Sequence, residues 1–226
     1  MTRPLLERRR WSGVVVLLVA GVVGAVGVLS GSASSIAASS RVTIAALPAV
    51  AASDHPVTLS GMVSSGRPGE LVEIRAKECG HSFFRGVSTT HTQAGGGWTA
   101  EFFPGITSAV RARWKTHVSK PVIVKQRAML RFAPKAFDRT RFVVSVVARA
   151  QFWRRYVAVE RYDRRRKAWR PFKRVVLTEQ NAPGSIVWTS GEFTARTPPG
   201  TKLRAVLPAS QAAPCYLTST SLIVRT

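Results

Sequence analysis

The second half of this 226-residue chain repeats the first. Trp98-Thr99-Ala100-Glu101-Phe102-Phe103-Pro104-Gly105 aligns with Phe193-Thr194-Ala195-Arg196-Thr197-Pro198-Pro199-Gly200. Val110-Arg111-Ala112 aligns with Leu203-Arg204-Ala205, and Leu71-Val72-Glu73-Ile74 with Tyr156-Val157-Ala158-Val159. Any fold must therefore accommodate one unit twice. Each copy is long enough to bury a single core.

The repeated unit alternates apolar and polar residues. Val72 and Ile74 point one way and Glu73 and Arg75 the other; Val157 and Val159 oppose Ala158 and Glu160 in the same manner. That period of two belongs to a sheet buried on one face. Gly and Pro punctuate the runs, as at Gly95-Gly96-Gly97, Pro104-Gly105 and Pro199-Gly200. Strands are predicted near 42–47, 56–63, 71–78, 84–91, 98–103, 108–114 and 121–127. The second copy gives 129–133, 142–149, 156–162, 169–177, 186–197, 202–207 and 216–225. Seven short strands per copy imply an all-β chain of two tandem immunoglobulin-like Greek-key sandwiches, residues 41–126 and 127–226. The antibody pattern of an intradomain cysteine pair around a tryptophan is absent. Trp98 and Phe193 are expected at equivalent core positions, as are Trp114 and Leu207.

Ahead of the repeat, Arg8-Arg9-Arg10 precede an uncharged run from residue 13 to residue 29. A basic segment before an apolar one reads as a signal peptide or a signal-anchor helix over residues 1–30. Its 17 residues are just enough to span a bilayer if uncleaved. Gly31-Ser32-Ala33 and Ser35-Ile36-Ala37 offer small residues at cleavage spacing. Residues 31–40 read as a flexible linker. The expected location is extracytoplasmic, secreted or anchored by the leader.

Several passages carry a family resemblance. The run from Val57 to Ile74 reads V-x-L-S-G-x-V-S-x-G-x-x-G-E-x-V-x-I, followed by T-x-A-G-G-G-W at Thr92 to Trp98 and R-A-R-W at Arg111 to Trp114. In the second copy, V-E-R-Y (Val159 to Tyr162) and W-R-P-F (Trp169 to Phe172) fit the same hairpin. Together they resemble the bacterial immunoglobulin-like repeat of exported proteins, and are similar to carboxypeptidase-regulatory-like sandwiches. The resemblance covers about residues 41–226. It implies a non-enzymatic surface, stalk or adhesion role and carries over no functional residue.

Cys79 and Cys215 are the chain's two cysteines, one in each copy. In an exported protein they are expected to pair across the two units, provided the strand order is immunoglobulin-like. The alternative is two free or separately buried thiols.

Charge is concentrated in the second copy. The chain carries a formal +23, and residues 127–226 hold twenty basic against five acidic residues. The densest segment contains Arg161, Arg164, Arg165, Arg166, Lys167 and Arg170, with Trp169 among them. On the strand map this is a hairpin with its turn over 163–168. It is the candidate anion-binding site, for an anionic cell-envelope polymer or a surface protein, with Trp169 or Tyr162 stacking on a ring. The alternative is a solvated hairpin whose charge blocks edge pairing. Nucleic acid is disfavoured, since the compartment is wrong and no nucleic-acid motif is present.

Catalytic signals are missing from the sequence. It has no Gly-x-Ser-x-Gly, no P-loop and no dinucleotide fingerprint. His55, His81, His91 and His117 are expected in separate loops, and the Glu70/Glu73 pair on an exposed edge. No catalytic, cofactor-binding or metal site is expected. The alternative to a binding module is a structural spacer or assembly subunit; a secreted enzyme ranks last.

Overall fold

Alternating burial organises the central strands Leu71–Glu78, Ser108–Trp114, Tyr156–Asp163 and Lys202–Leu207. In the computed structural model, Val72, Ile74 and Ala76 are buried while Glu73, Arg75 and Lys77 are not; Val157 and Val159 repeat the pattern. The structure describes residues 41–52, 55–135 and 138–226. The expected leader and linker over residues 1–40 lie outside them. Among the described residues no helix is long and apolar enough to cross a membrane.

The first half of the chain forms β1 (Ala45–Leu47), β2 (Val50–Ala51), β3 (Val57–Met62), β4 (Leu71–Glu78), β5 (Arg85–His91), β6 (Gly97–Phe102), β7 (Ser108–Trp114), β8 (His117–Val118) and β9 (Val122–Gln126). The second half forms β10 (Met129–Lys135), β11 (Asp138–Ala148), β12 (Tyr156–Asp163), β13 (Ala168–Val176), β14 (Glu179–Asn181), β15 (Val187–Thr194), β16 (Lys202–Leu207), β17 (Ser219–Thr220) and β18 (Val224–Arg225). Helical structure among the described residues amounts to a 3-10 turn at Ala94–Gly96 and one α turn, α1, at Ala209–Ala212. The chain is all-β.

Strand pairing follows one plan twice. β1–β3–β6 make one sheet and β5–β4–β7–β9 the body of another; β10–β11–β15 and β13–β12–β16–β17 repeat this order. Pro48 separates β1 from β2. It lacks an N–H for the ladder, and the chain crosses there from the smaller sheet to the larger, where β2 lies parallel to β9.

Both copies also break their final strand in the same way. Ser119 donates its N–H to Ala112 O, and its hydroxyl accepts the Ala112 N–H. Ser221 and Ala205 exchange the same two bonds. Three residues further on, Val122 pairs with Val110 and Val224 with Leu203. Three steps therefore oppose two, which is a β-bulge at one repeated register. The single strand expected over 216–225 is divided by this bulge into β17 and β18.

Two hydrophobic clusters lie between the sheets. The first draws Leu59, Trp98 and Phe102 from the smaller sheet and Ile74, Val110 and Trp114 from the larger. The second packs the rings of Phe132, Phe142 and Phe193, with centroids 5.2–6.3 Å apart, over Val157, Val159, Leu203 and Leu207. Trp98 and Phe193, and likewise Trp114 and Leu207, are buried in their respective clusters. Gly61 is the registered partner of Trp98, and a Cβ there would sit 2.6 Å from the indole. Nothing larger than glycine fits without shifting the ring.

All described residues belong to one compact unit, and the two cores meet within it. Only Arg127 and Ala128 separate β9 from β10. Ile106, although it lies in the first copy, packs into the second cluster. Cys79 and Cys215 form a disulfide with their Cα atoms 5.5 Å apart. Around it, Cys79 N–H donates to Thr107 O and Thr107 N–H to Cys215 O. Tyr216 Oη donates to Gly105 O and accepts the Arg149 N–H, both at 2.9 Å. Burial pushes the Tyr216 phenol up from its ordinary value. Glu78 is bound by Arg149 at 3.0 Å and by Arg85 at 2.8 Å. A Cβ on Gly105 would fall 2.3 Å from Arg149 Nε, so glycine permits that close approach.

The disulfide closes a sequence separation of 136 residues. In the chain-entropy account a loop of this length stabilises the folded state by about 4–5 kcal/mol. Replacing both Cys79 and Cys215 by Ser is expected to lower the denaturation free energy by that order. Urea titration of the oxidised protein against the double variant measures it. Equal midpoints would contradict it.

Candidate functional site

The basic hairpin is built by β12 and β13 and closed by Arg164–Lys167. Asp163 begins the turn. Its Oδ1 accepts the backbone N–H groups of Arg165 at 2.9 Å and Arg166 at 3.1 Å, an Asx arrangement that fixes the loop while its arginine side chains remain outside. Lys167 takes a left-handed backbone, φ 50°, to bring the chain back into β13. A register shift at Val159/Glu160 leaves Phe172 without a partner on β12.

Register then decides which side chains meet. Arg161 lies opposite Arg170, and Tyr162 opposite Trp169. Arg161 and Arg170 are both exposed, so two like charges face each other across the pair. Tyr162 and Trp169 are half-buried, edge to face, with centroids 5.4 Å apart. Cations of β16 lie on them: Arg204 sits 4.3 Å over Trp169 and Lys202 5.5 Å over Tyr162. Arg204 is held in turn by Glu160 at 2.7 Å.

These contacts change the role expected for the rings. Trp169 has a guanidinium on one face and Tyr162 against it. Its interaction in the structure is with the protein's own arginine. The two aromatics orient cations on the sheet.

The turn faces the loop between β15 and β16. Arg164 Nη2 donates to Gly200 O at 3.2 Å and ties the two together. Between them is an open depression of ≈ 440 Å³. Arg161, Tyr162, Asp163, Arg164, Arg165 and Arg170 line it from the hairpin; Pro198, Pro199, Thr201 and Lys202 line the opposite wall. The structure thus gathers Arg161, Arg164, Arg165 and Arg170 of the expected set. Arg166, Lys167 and Trp169 do not line the depression.

Pro198, Pro199 and Lys202 were not legible as site residues. A signal did exist, because the repeat aligns Pro199-Gly200 with Pro104-Gly105. What it lacked was the information that this turn packs against the hairpin.

No carboxylate comes within 4.0 Å of Arg161, Arg164, Arg165, Arg166, Lys167 or Arg170 among the described residues. Asp163 is held below the usual carboxylate range, first by the Arg166 N–H, then by the Arg165 N–H and by the charges of Arg166 and Arg170.

The two carboxylates singled out in the first copy are both ion-paired. Glu73 lies on β4, an interior strand between β5 and β7, and not on the exposed edge expected of it. It contacts Arg75 at 3.5 Å and Arg113 at 3.6 Å. Glu70 is bound by Lys115 at 2.8 Å and by the Ser65 hydroxyl, contacts that lower its pKa. His91 ends β5 and His117 begins β8, so these two stand on strands where loops were expected. Three or more His, Cys, Asp or Glu side chains arranged for a metal do not occur among the described residues.

The Asp163 cap has a pH signature. Because its folded pKa is depressed, the carboxylate's contribution to the turn is complete above the ordinary aspartate range and is lost as pH falls through the lowered value. The amide resonances of Arg165 and Arg166 are expected to titrate together in that acid window. In Asp163→Ala they should show no such step, and both amides should exchange faster. Unchanged exchange in the variant would mean the cap does not order the turn. No family model matches this chain, and no curated protein matches it.

Proposed function

We propose that this chain is an exported, non-enzymatic binding module made of two tandem immunoglobulin-like sandwiches, residues 41–126 and 127–226. Its second unit captures anionic polymers of the cell envelope through the β12–β13 hairpin. Residues 1–30 act as signal or membrane anchor, and 31–40 as the linker.

The observation that carries the proposal is a set of six exposed or loop-borne cations, Arg161, Arg164, Arg165, Arg166, Lys167 and Arg170, with no ion-paired carboxylate among the described residues. A hairpin charged only to block edge pairing gains nothing from confronting Arg161 with Arg170 or from pinning its turn to a neighbouring loop. A disulfide fits an oxidising compartment outside the cytoplasm.

A second reading, a spacer without its own ligand, is favoured by the junction. The disulfide, the Tyr216 phenol and the Arg149–Glu78 pair all restrain the two cores against each other.

One binding experiment separates the two readings. The full chain is expected to bind acidic polysaccharide at low salt and to release it near 1 M salt, where the screening length is about 3 Å. Replacing Arg164, Arg165 and Arg166 together by Ser should weaken binding by about 100-fold at low salt, at about 1 kcal/mol per arginine near a charged surface. Binding that ignores salt and the triple substitution would refute the capture reading. No polyanion binding at all would leave the spacer.

A further inference from the structure

We propose that the depression between the β12–β13 turn and the β15–β16 loop is a subsite for one acidic sugar unit of a polysaccharide, with the unit's oxyanion held between Arg161 and Arg170. The inference rests on the capture reading and narrows it from net charge to a defined ligand chemistry.

The cross-strand pair is the first argument. Like charges directly opposite on two strands are unfavourable. Arg161 and Arg170 occupy such a pair, and no carboxylate ion-pairs with either among the described residues. An oxyanion between them removes the repulsion. Each guanidinium is a planar fork that matches a carboxylate or phosphate with two parallel hydrogen bonds.

Both walls are set before any ligand arrives. Asp163 caps the turn through two backbone N–H groups, and Arg164 fastens that turn to Gly200. On the far wall, Pro198 O accepts the hydroxyls of Thr201 at 2.6 Å and Thr226 at 3.0 Å. Two consecutive prolines further restrict that backbone.

The shape and lining argue for a sugar. The depression is open to solvent, and its ≈ 440 Å³ leaves room for a sugar ring beside an anion. Pro198 and Pro199 offer apolar ring surface, while Thr201 offers a hydroxyl. That mixture suits a pyranose, which has C–H faces and a hydroxyl rim. A bilayer fits less well. The site is concave, and Arg164, Arg165, Arg166 and Lys167 give the turn no apolar side chain to insert.

The test is calorimetric titration of the full chain at 0.15 M salt, roughly an 8 Å screening length. Probes are trigalacturonate for a carboxylate, glucose 6-phosphate for a phosphate, neutral maltotriose, and a short polyglutamate as an anion without a sugar. Saturable one-to-one binding is expected for an acidic sugar, and the arm that binds identifies the oxyanion. Arg161→Gln and Arg170→Gln should each weaken it at least tenfold. Arg161→Lys should not restore it, since a lysine keeps the charge and loses the fork. Arg166→Ser, outside the depression, should change it less than about threefold. Thermal midpoints of these exposed-site variants report that each is folded.

Polyglutamate that displaces the acidic sugar from the same one-to-one site would overturn the subsite, as would wild-type affinity in Arg161→Gln. So would anionic phosphatidylglycerol vesicles that bind without being displaced by acidic sugar. If polymer binding is still lost on replacing Arg164, Arg165 and Arg166 while no acidic sugar binds one-to-one, the subsite falls and the capture reading stands. If no polyanion binds, both fall.

Discussion

The contact between the two cores rests on a short set of bonds around one turn. Cys79 and Cys215 are joined covalently, Tyr216 bonds the Gly105 carbonyl, and Arg149 reaches Glu78 across the same gap. With two residues between β9 and β10, little chain remains to move. Units joined by one short linker are ordinarily mobile. Here covalent, hydrogen-bonded and ionic restraints coincide, so whatever one end of the molecule presents keeps a fixed direction relative to the other.

The same turn recurs in the second copy, where Gly200 stands for Gly105. Its carbonyl accepts from Arg164, a residue of its own copy, where Gly105 accepts from Tyr216 of the other. The hairpins that accompany these turns diverge in parallel. After β4 the chain carries Cys79 and is bonded to the neighbouring unit; after β12 it carries four consecutive cations exposed to solvent. One architectural position thus serves as a joint in one copy and as an open charged surface in the other. The repeat explains why the position exists, and the local sequence decides its use.

Much of this could be read from residues alone. The central strands β4, β7, β12 and β16 followed from alternation, because burial on one face acts on every second residue there. The matching places of Trp114 and Leu207 followed from the repeat; Trp98 and Phe193 are both buried as expected, but Trp98 lies near the start of β6 opposite Gly61 and Phe193 near the end of β15 opposite Phe142. The charged hairpin was visible as composition, and its turn lay where Asp163 caps it. Three things were not visible. The confrontation of Arg161 with Arg170 depends on a register shifted by the bulge at Phe172. The approach of Pro198 and Pro199 to the hairpin is long-range. The aromatic rings, legible as candidate stacking surfaces, carry Arg204 and Lys202, which come from a strand some forty residues away. Periodicity reports on faces, and none of these three is a property of a face.

The paired serine bulges bear on solubility. β17 and β18 lie along a sheet margin in the second copy, with Leu222 and Ile223 exposed nearby. An unbroken apolar margin of that kind is a template on which further chains can add as strands. Because Ser221 answers Ala205 with both its amide and its hydroxyl, the ladder is interrupted within a few residues. An incoming segment would find no straight row of donors and acceptors to copy. At high concentration, such molecules would be discouraged from zipping into fibrils, by a device inherited twice from the duplicated unit.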